Sequence, residues 1–113
     1  MEAAERVYRE AMGNGGEMEA WRGSVRARAL ARLGRGEEAL EVATEAVQFA
    51  RGHGMLWALP LALLALGQAR AAVGAEGVEE ALDEATAVAT EADARMALLT
   101  IEQEREELAV RGA

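Results

Sequence analysis

The chain has no cysteine, which excludes disulfides, thiolate ligands and thiol nucleophiles and leaves the redox compartment open. It has no lysine either: all 12 basic residues are arginine, set against 20 acidic ones for a formal net charge of −8. A surplus of acid on this scale argues against nonspecific binding to nucleic acid or to an anionic membrane, because both need a concentrated basic face. There is one proline, and the aromatic residues are two Trp, one Tyr and one Phe. With so few large side chains, a domain of 113 residues has to gain stability from close approach of its backbone elements. Its 27 alanines, together with Glu, Leu and Arg, favour helices and give a sheet little to pack with.

What the sequence does have is a greasy centre. Met55 to Gly74 reads MLWALPLALLALGQARAAVG, the most apolar stretch of the chain. It is too short to span a bilayer before Gln68 and Arg70 interrupt it, and an apolar run of this size is read as a buried helix. The N-terminus, MEAAERVYREAM, is charged throughout and unlike a signal peptide, so a cytoplasmic protein is expected.

The apolar spacing and the glycines divide the chain into about six helices. Residues 2–12 form the first, with Ala4, Tyr8 and Ala11 on one face, and Gly13-Asn14-Gly15-Gly16 ends it. The second runs from Glu17 to Leu33, with Met18, Trp21, Val25, Ala29 and Leu33 spaced three and four apart, and Arg22, Arg26, Arg28, Arg32 and Arg35 make this segment locally basic. Gly34-Arg35-Gly36 is too short to do anything but fold the next helix back. That third helix, 37–50, has an alanine stripe at Ala39, Ala43, Ala46 and Ala50. Pro60 places the start of the central helix near Trp57 to Leu59, the alternative being a kink at Pro60. The last two helices cover about 78–92 and 94–110, with only Asp93 and its neighbours between them.

The chain also repeats itself with a period near forty residues. Ala27 and Gly34 have the same separation as Gly67 and Gly74, forty residues on. Ala39, Ala43, Ala46 and Ala50 match Ala81, Ala85, Val88 and Ala92, and Ala4, Tyr8 and Ala11 repeat the spacing upstream. This pattern resembles a tetratricopeptide repeat (TPR) array. Ala27 and Gly67 stand at that family's small position of helix A, Gly34 and Gly74 at its turn glycine, and Ala4, Ala39 and Ala81 at its small position early in helix B. The family's aromatic survives only as Tyr8, its inter-repeat proline is missing, and the period exceeds the usual thirty-four. Longer repeats of this kind resemble those of large bacterial signal-dependent ATPase transcription activators and multidomain nucleotide cyclases. The resemblance implies an all-α, single domain over 1–113, a short right-handed TPR-like superhelix. In it 2–12 is helix B of a partial repeat, 17–52 repeat 1, 55–92 repeat 2 and 94–111 a capping helix. Starting halfway through a repeat is expected of a fragment of a longer protein, or of a small array that covers its open end with another copy.

In the family the A helices line an inner groove, which carries over here to Trp21, Ser24, Arg28, Ala31 and Arg32 on one helix and to Leu61, Leu64, Gln68, Ala71 and Ala72 on the next. On the functional reading this is a partner-binding groove with Arg28 and Arg32 as carboxylate clamps and Leu61 and Leu64 as an apolar floor. The competing reading is that the arginines pair with local glutamates and a neighbouring helix buries the leucines. Trp21 and Trp57 are read as packing anchors whose ring nitrogens find a carbonyl, or else, if exposed with Met18 and Met55, as an interaction patch. His53, alone between glycines, lacks fellow ligands for a metal and a nucleophile for general-base work. The turns GNGG and GRG lack the preceding strand and the Lys of a phosphate loop. The acidic run Glu102, Glu104, Glu106, Glu107 reads as a solvated outer face, with pairing to the Arg22–Arg35 segment of a second chain as the alternative.

The expectation is therefore a non-enzyme, needing no cofactor or metal, that binds a protein or peptide partner or another copy of itself and touches neither nucleic acid nor membrane. The alternative is a small-ligand sensor segment of a larger bacterial regulator.

Overall fold

The computed structural model describes residues 16–112 and is all-α across them. Five helices follow one another: α1 (Gly16–Arg32), α2 (Gly36–Gly52), α3 (Leu59–Ala72), α4 (Val78–Glu91) and α5 (Arg95–Gly112). The expected helix at 2–12 lies outside the described residues. Among those described, the expected count of about six becomes five, each close to its anticipated span.

The helices stop where they do for one recurring reason. At the end of α1, the Gly34 N–H donates to Ala31 O and the Arg35 N–H to Leu30 O, the paired bonds that close a helix around a left-handed residue. The same pair of bonds recurs around Gly54, Gly74 and Asp93, and all four residues have positive φ, between 53° and 80°. Three of these positions are glycine, which adopts that conformation freely. The fourth, Asp93 at φ 53°, separates α4 from α5 and rules out one continuous helix. Pro60 sits in the first turn of α3, where its missing N–H costs nothing, and α3 is a single uninterrupted helix.

α2 folds back along α1, bringing Gly23, early in α1, against Ala46, late in α2. A Cβ built on Gly23 would stand 3.2 Å from that of Ala46. Alanine makes such approaches possible along the whole seam: Ala27, Ala39, Ala43 and Ala50 are fully covered. The stripe continues on α4 through Ala81, Ala85 and Ala89. The expected match of Ala92 to Ala50 fails, because Ala92 has turned out to solvent at the end of α4.

α3 is the centre of the molecule. It packs against α1, α2 and α4 and touches α5 lightly, and every residue from Leu59 to Ala69 except Leu61 is buried. That burial explains the greasy stretch: the chain's own helices cover it. Leu63 and Leu64 with Leu82 and Ile101 are the largest apolar side chains wholly inside. α5 leans on α4, where Arg105 reaches Glu79 at 2.9 Å and Asp83 at 2.7 Å. No helix among the described residues is long and apolar enough to cross a membrane.

Candidate functional site

Because α5 rests on α4 and barely meets α3, its C-terminal half stands away from the α1–α3 pair and leaves a cleft of about 530 Å³. Ala31, Arg32 and Gly34 border it from the end of α1, and Gln68, Ala71 and Ala72 from α3. Val78, Glu79 and Leu82 of α4 and Glu104, Arg105, Leu108 and Ala109 of α5 complete it. The lining combines small and apolar side chains with a mixed-charge rim.

Successive odd-numbered helices meet in register here. The Arg28 Nε donates to Gln68 Oε1 at 2.9 Å, joining two positions forty residues apart. Gln68 is itself only 4% exposed, so this bond fixes its amide plane with the oxygen toward Arg28. Arg32 reaches in the other direction, its Nη2 lying 3.7 Å from the Glu104 carboxylate and 4.0 Å from that of Glu107. Glu104 is 3% exposed, and a carboxylate so far from water is retained only where a cation answers it. The Arg32–Glu104 pair therefore ties the end of α1 to α5 across the mouth of the cleft.

The residues expected to form the groove divide accordingly. Arg32 and Gln68 border the cleft with Ala31, Ala71 and Ala72, and Arg28 reaches it only through its bond to Gln68. Leu61 is half-buried further along α3 and does not line the cleft. Ser24 and Leu64 are covered completely, Ser24 donating to Ala20 O at 2.9 Å. Neither offers a surface to a partner, because both are wholly buried. Both arginines find partners inside the chain, though one partner is an amide and the other a carboxylate 72 residues away (104 − 32) rather than a local glutamate.

Two further expectations need correction. Trp21 and Trp57 are 42% and 47% exposed, and neither ring nitrogen has a hydrogen-bond partner among the described residues, so they are not buried anchors. Met55 beside Trp57 is half-buried, and the side chain of Met18 lies outside what is described. Glu104 likewise leaves the acidic run, turning inward while Glu102, Glu106 and Glu107 stay exposed. Its position three residues after Ile101, on the buried side of α5, is the one sequence signal that marks it.

His53 caps α2. Its ring stacks on Phe49 with centroids 4.1 Å apart, and Nδ1 lies 2.9 Å from the Phe49 carbonyl oxygen. Among the described residues no three His, Asp or Glu side chains are grouped to hold a metal ion. Comparison with protein-family models, with curated proteins and with solved structures finds no match to this chain.

Proposed function

We propose that the chain is a noncatalytic TPR-like repeat module, with α1–α2 and α3–α4 as its two repeats and α5 as a cap, that takes a segment of a partner protein in the cleft. The forty-residue register of Arg28 on Gln68 and the left-handed Gly34 and Gly74 support the repeat assignment. The observation that carries the binding role is the splay of α5 from α3. It leaves Ala71, Val78 and Leu108 at an open cleft ringed by Arg32, Glu79 and Arg105. An amphipathic helix laid there meets apolar contacts beneath and charges of both signs at the edge.

Selection from a displayed peptide library tests the reading. Enriched peptides are expected to shift the amide resonances of Gln68, Leu82 and Leu108 and to lose binding to Ala109→Trp, which crowds the cleft from the exposed side of α5. Peptides that bind Ala109→Trp undiminished would remove the cleft from the partner role. The cleft volume also favours a second reading, since about 530 Å³ falls in the range of roughly 300–1,000 Å³ typical of small-molecule sites. On that reading the chain is the sensor segment of a larger bacterial regulator. A metabolite that raises the melting temperature of the unmodified chain but not of Ala109→Trp selects it.

A further inference from the structure

The register between α1 and α3 exposes an imbalance at the far end of the stack. Ala62, Ala65, Leu66 and Ala69 of α3 are all buried against neighbouring helices. Forty residues earlier, Arg22, Val25, Arg26 and Ala29 occupy the same positions on α1 and all face solvent. The face that is packed in the middle of the molecule is open at its beginning, and it keeps apolar character at Val25 and, two turns further on, Leu33. Its arginines are unusual too. From Arg28 to Arg105 every arginine pairs with or donates to a neighbour, whereas Arg22 and Arg26 have no bonded partner among the described residues.

α5 carries the complement. On a helix, residues three, four, seven and eight apart share a side. Leu99, Glu102, Glu106 and Val110 therefore lie together on the outer side of α5, all exposed. Glu102 and Glu106 are one turn apart, as Arg22 and Arg26 are, and neither has an ion-pair partner among the described residues. Each surface is thus an apolar strip with two like charges in the same spacing and of opposite sign. From this we infer that the open face of α1 receives the outer face of α5 from a second copy of the chain. Arg22 and Arg26 also border the groove between α1 and α2, where Glu45 repels an acidic helix, so the contact lies on the Val25 and Ala29 side of the two arginines.

Two different surfaces meet in such a contact, so it is head-to-tail, and copies add until the rotation closes a ring or continue as an open filament. The surfaces are separate from the cleft, and the two readings stand or fall independently. Sedimentation of the full chain over a wide concentration range, at low and high salt, tests the inference. The average mass is expected to climb past that of a dimer with concentration and to fall as salt screens the charges. Arg22→Glu with Arg26→Glu is expected to sediment as a monomer, and so is Glu102→Arg with Glu106→Arg. Mixing the two variants is expected to restore the assembly, since each then offers the other an opposite charge. All four positions are exposed, and circular dichroism of the variants verifies the helices. A monomer at every concentration would be the result if residues 1–15 or a different protein cover the face, and it overturns the inference. So does a mass that stops at the dimer, or a mixture that stays monomeric.

Discussion

Gly36 and Gly67 both stand where a neighbouring helix comes close, but what they face differs. A Cβ on Gly36 would lie 2.7 Å from Val73 Cγ1 and 3.3 Å from the backbone carbon of Ala72. Val73 is β-branched and stiff, and the backbone at the end of α3 has nowhere to retreat. On Gly67 the nearest atoms are the Leu82 Cδ2 at 3.0 Å and Cγ at 3.2 Å, in a side chain that adjusts by small rotations. A methyl group at Gly67 also gains helix propensity of about 1 kcal/mol in the interior of α3. Gly36→Ala is therefore expected to destabilise by about 1–3 kcal/mol through overpacking, while Gly67→Ala stays near neutral. Urea unfolding of the two variants compares them, and equal losses would refute the distinction. The sequence marks both glycines, but only Gly67 falls at a repeat position; the constraint on Gly36 comes from a contact with residues nearly forty positions away. Glu104 eludes the sequence for the same reason. An isolated glutamate in an acidic run reads as solvated until Arg32, on a helix distant in the chain, is seen beside it.

Element boundaries were largely legible because each depends on local chemistry: a glycine in the left-handed conformation after α1, α2 and α3, and a proline in the first turn of α3. The break between α4 and α5 has no glycine, and Asp93 bears the conformation at a steric cost. A left-handed residue with a Cβ is disfavoured by roughly 1–2 kcal/mol, and Asp and Asn are among the few that take it. Asp93→Gly relieves that strain, partly offset by the greater freedom of glycine in the unfolded chain. The net expectation is a gain of a few tenths to about 1 kcal/mol, and Asp93→Val, β-branched, is expected to lose more than Asp93→Gly gains. Thermal unfolding of the pair checks the ordering. Less legible was how the elements lean on one another. The alanine stripes mark which helix faces are buried, but not that α5 settles on α4 instead of α3, and it is this lean that opens the cleft. Leu82, Arg105 and Leu108 belong to the site through it, with no motif of their own.

At the scale of the whole molecule, stability is unevenly shared. α3 is enclosed by three helices, whereas α5 packs chiefly on α4 and contributes one wholly buried apolar side chain, Ile101, to the core. The rest of its attachment is the half-buried Ala97, Leu98 and Leu108 against the core, the Arg32–Glu104 tie, and the ion pairs of Arg105, which with their exposed carboxylates are worth about 0–1 kcal/mol each. In a stack whose units touch only their neighbours, an end helix held this way opens without the rest. Ile101→Ala removes about 2–5 kcal/mol of packing, from the face by which α5 meets the core, chiefly α4. Its effect on hydrogen exchange is expected to be local, with the amides of α5 losing protection while those in the middle of α3 change little. Leu64→Ala, of similar chemical size, empties a wholly buried position on α3, the helix enclosed by α1, α2 and α4, so protection is expected to fall in these helices together. If Ile101→Ala lowered protection equally in all five helices, α5 would be an integral part of one cooperative unit. The cleft would then be a fixed feature of the fold, with no separate motion of α5 available to admit a partner.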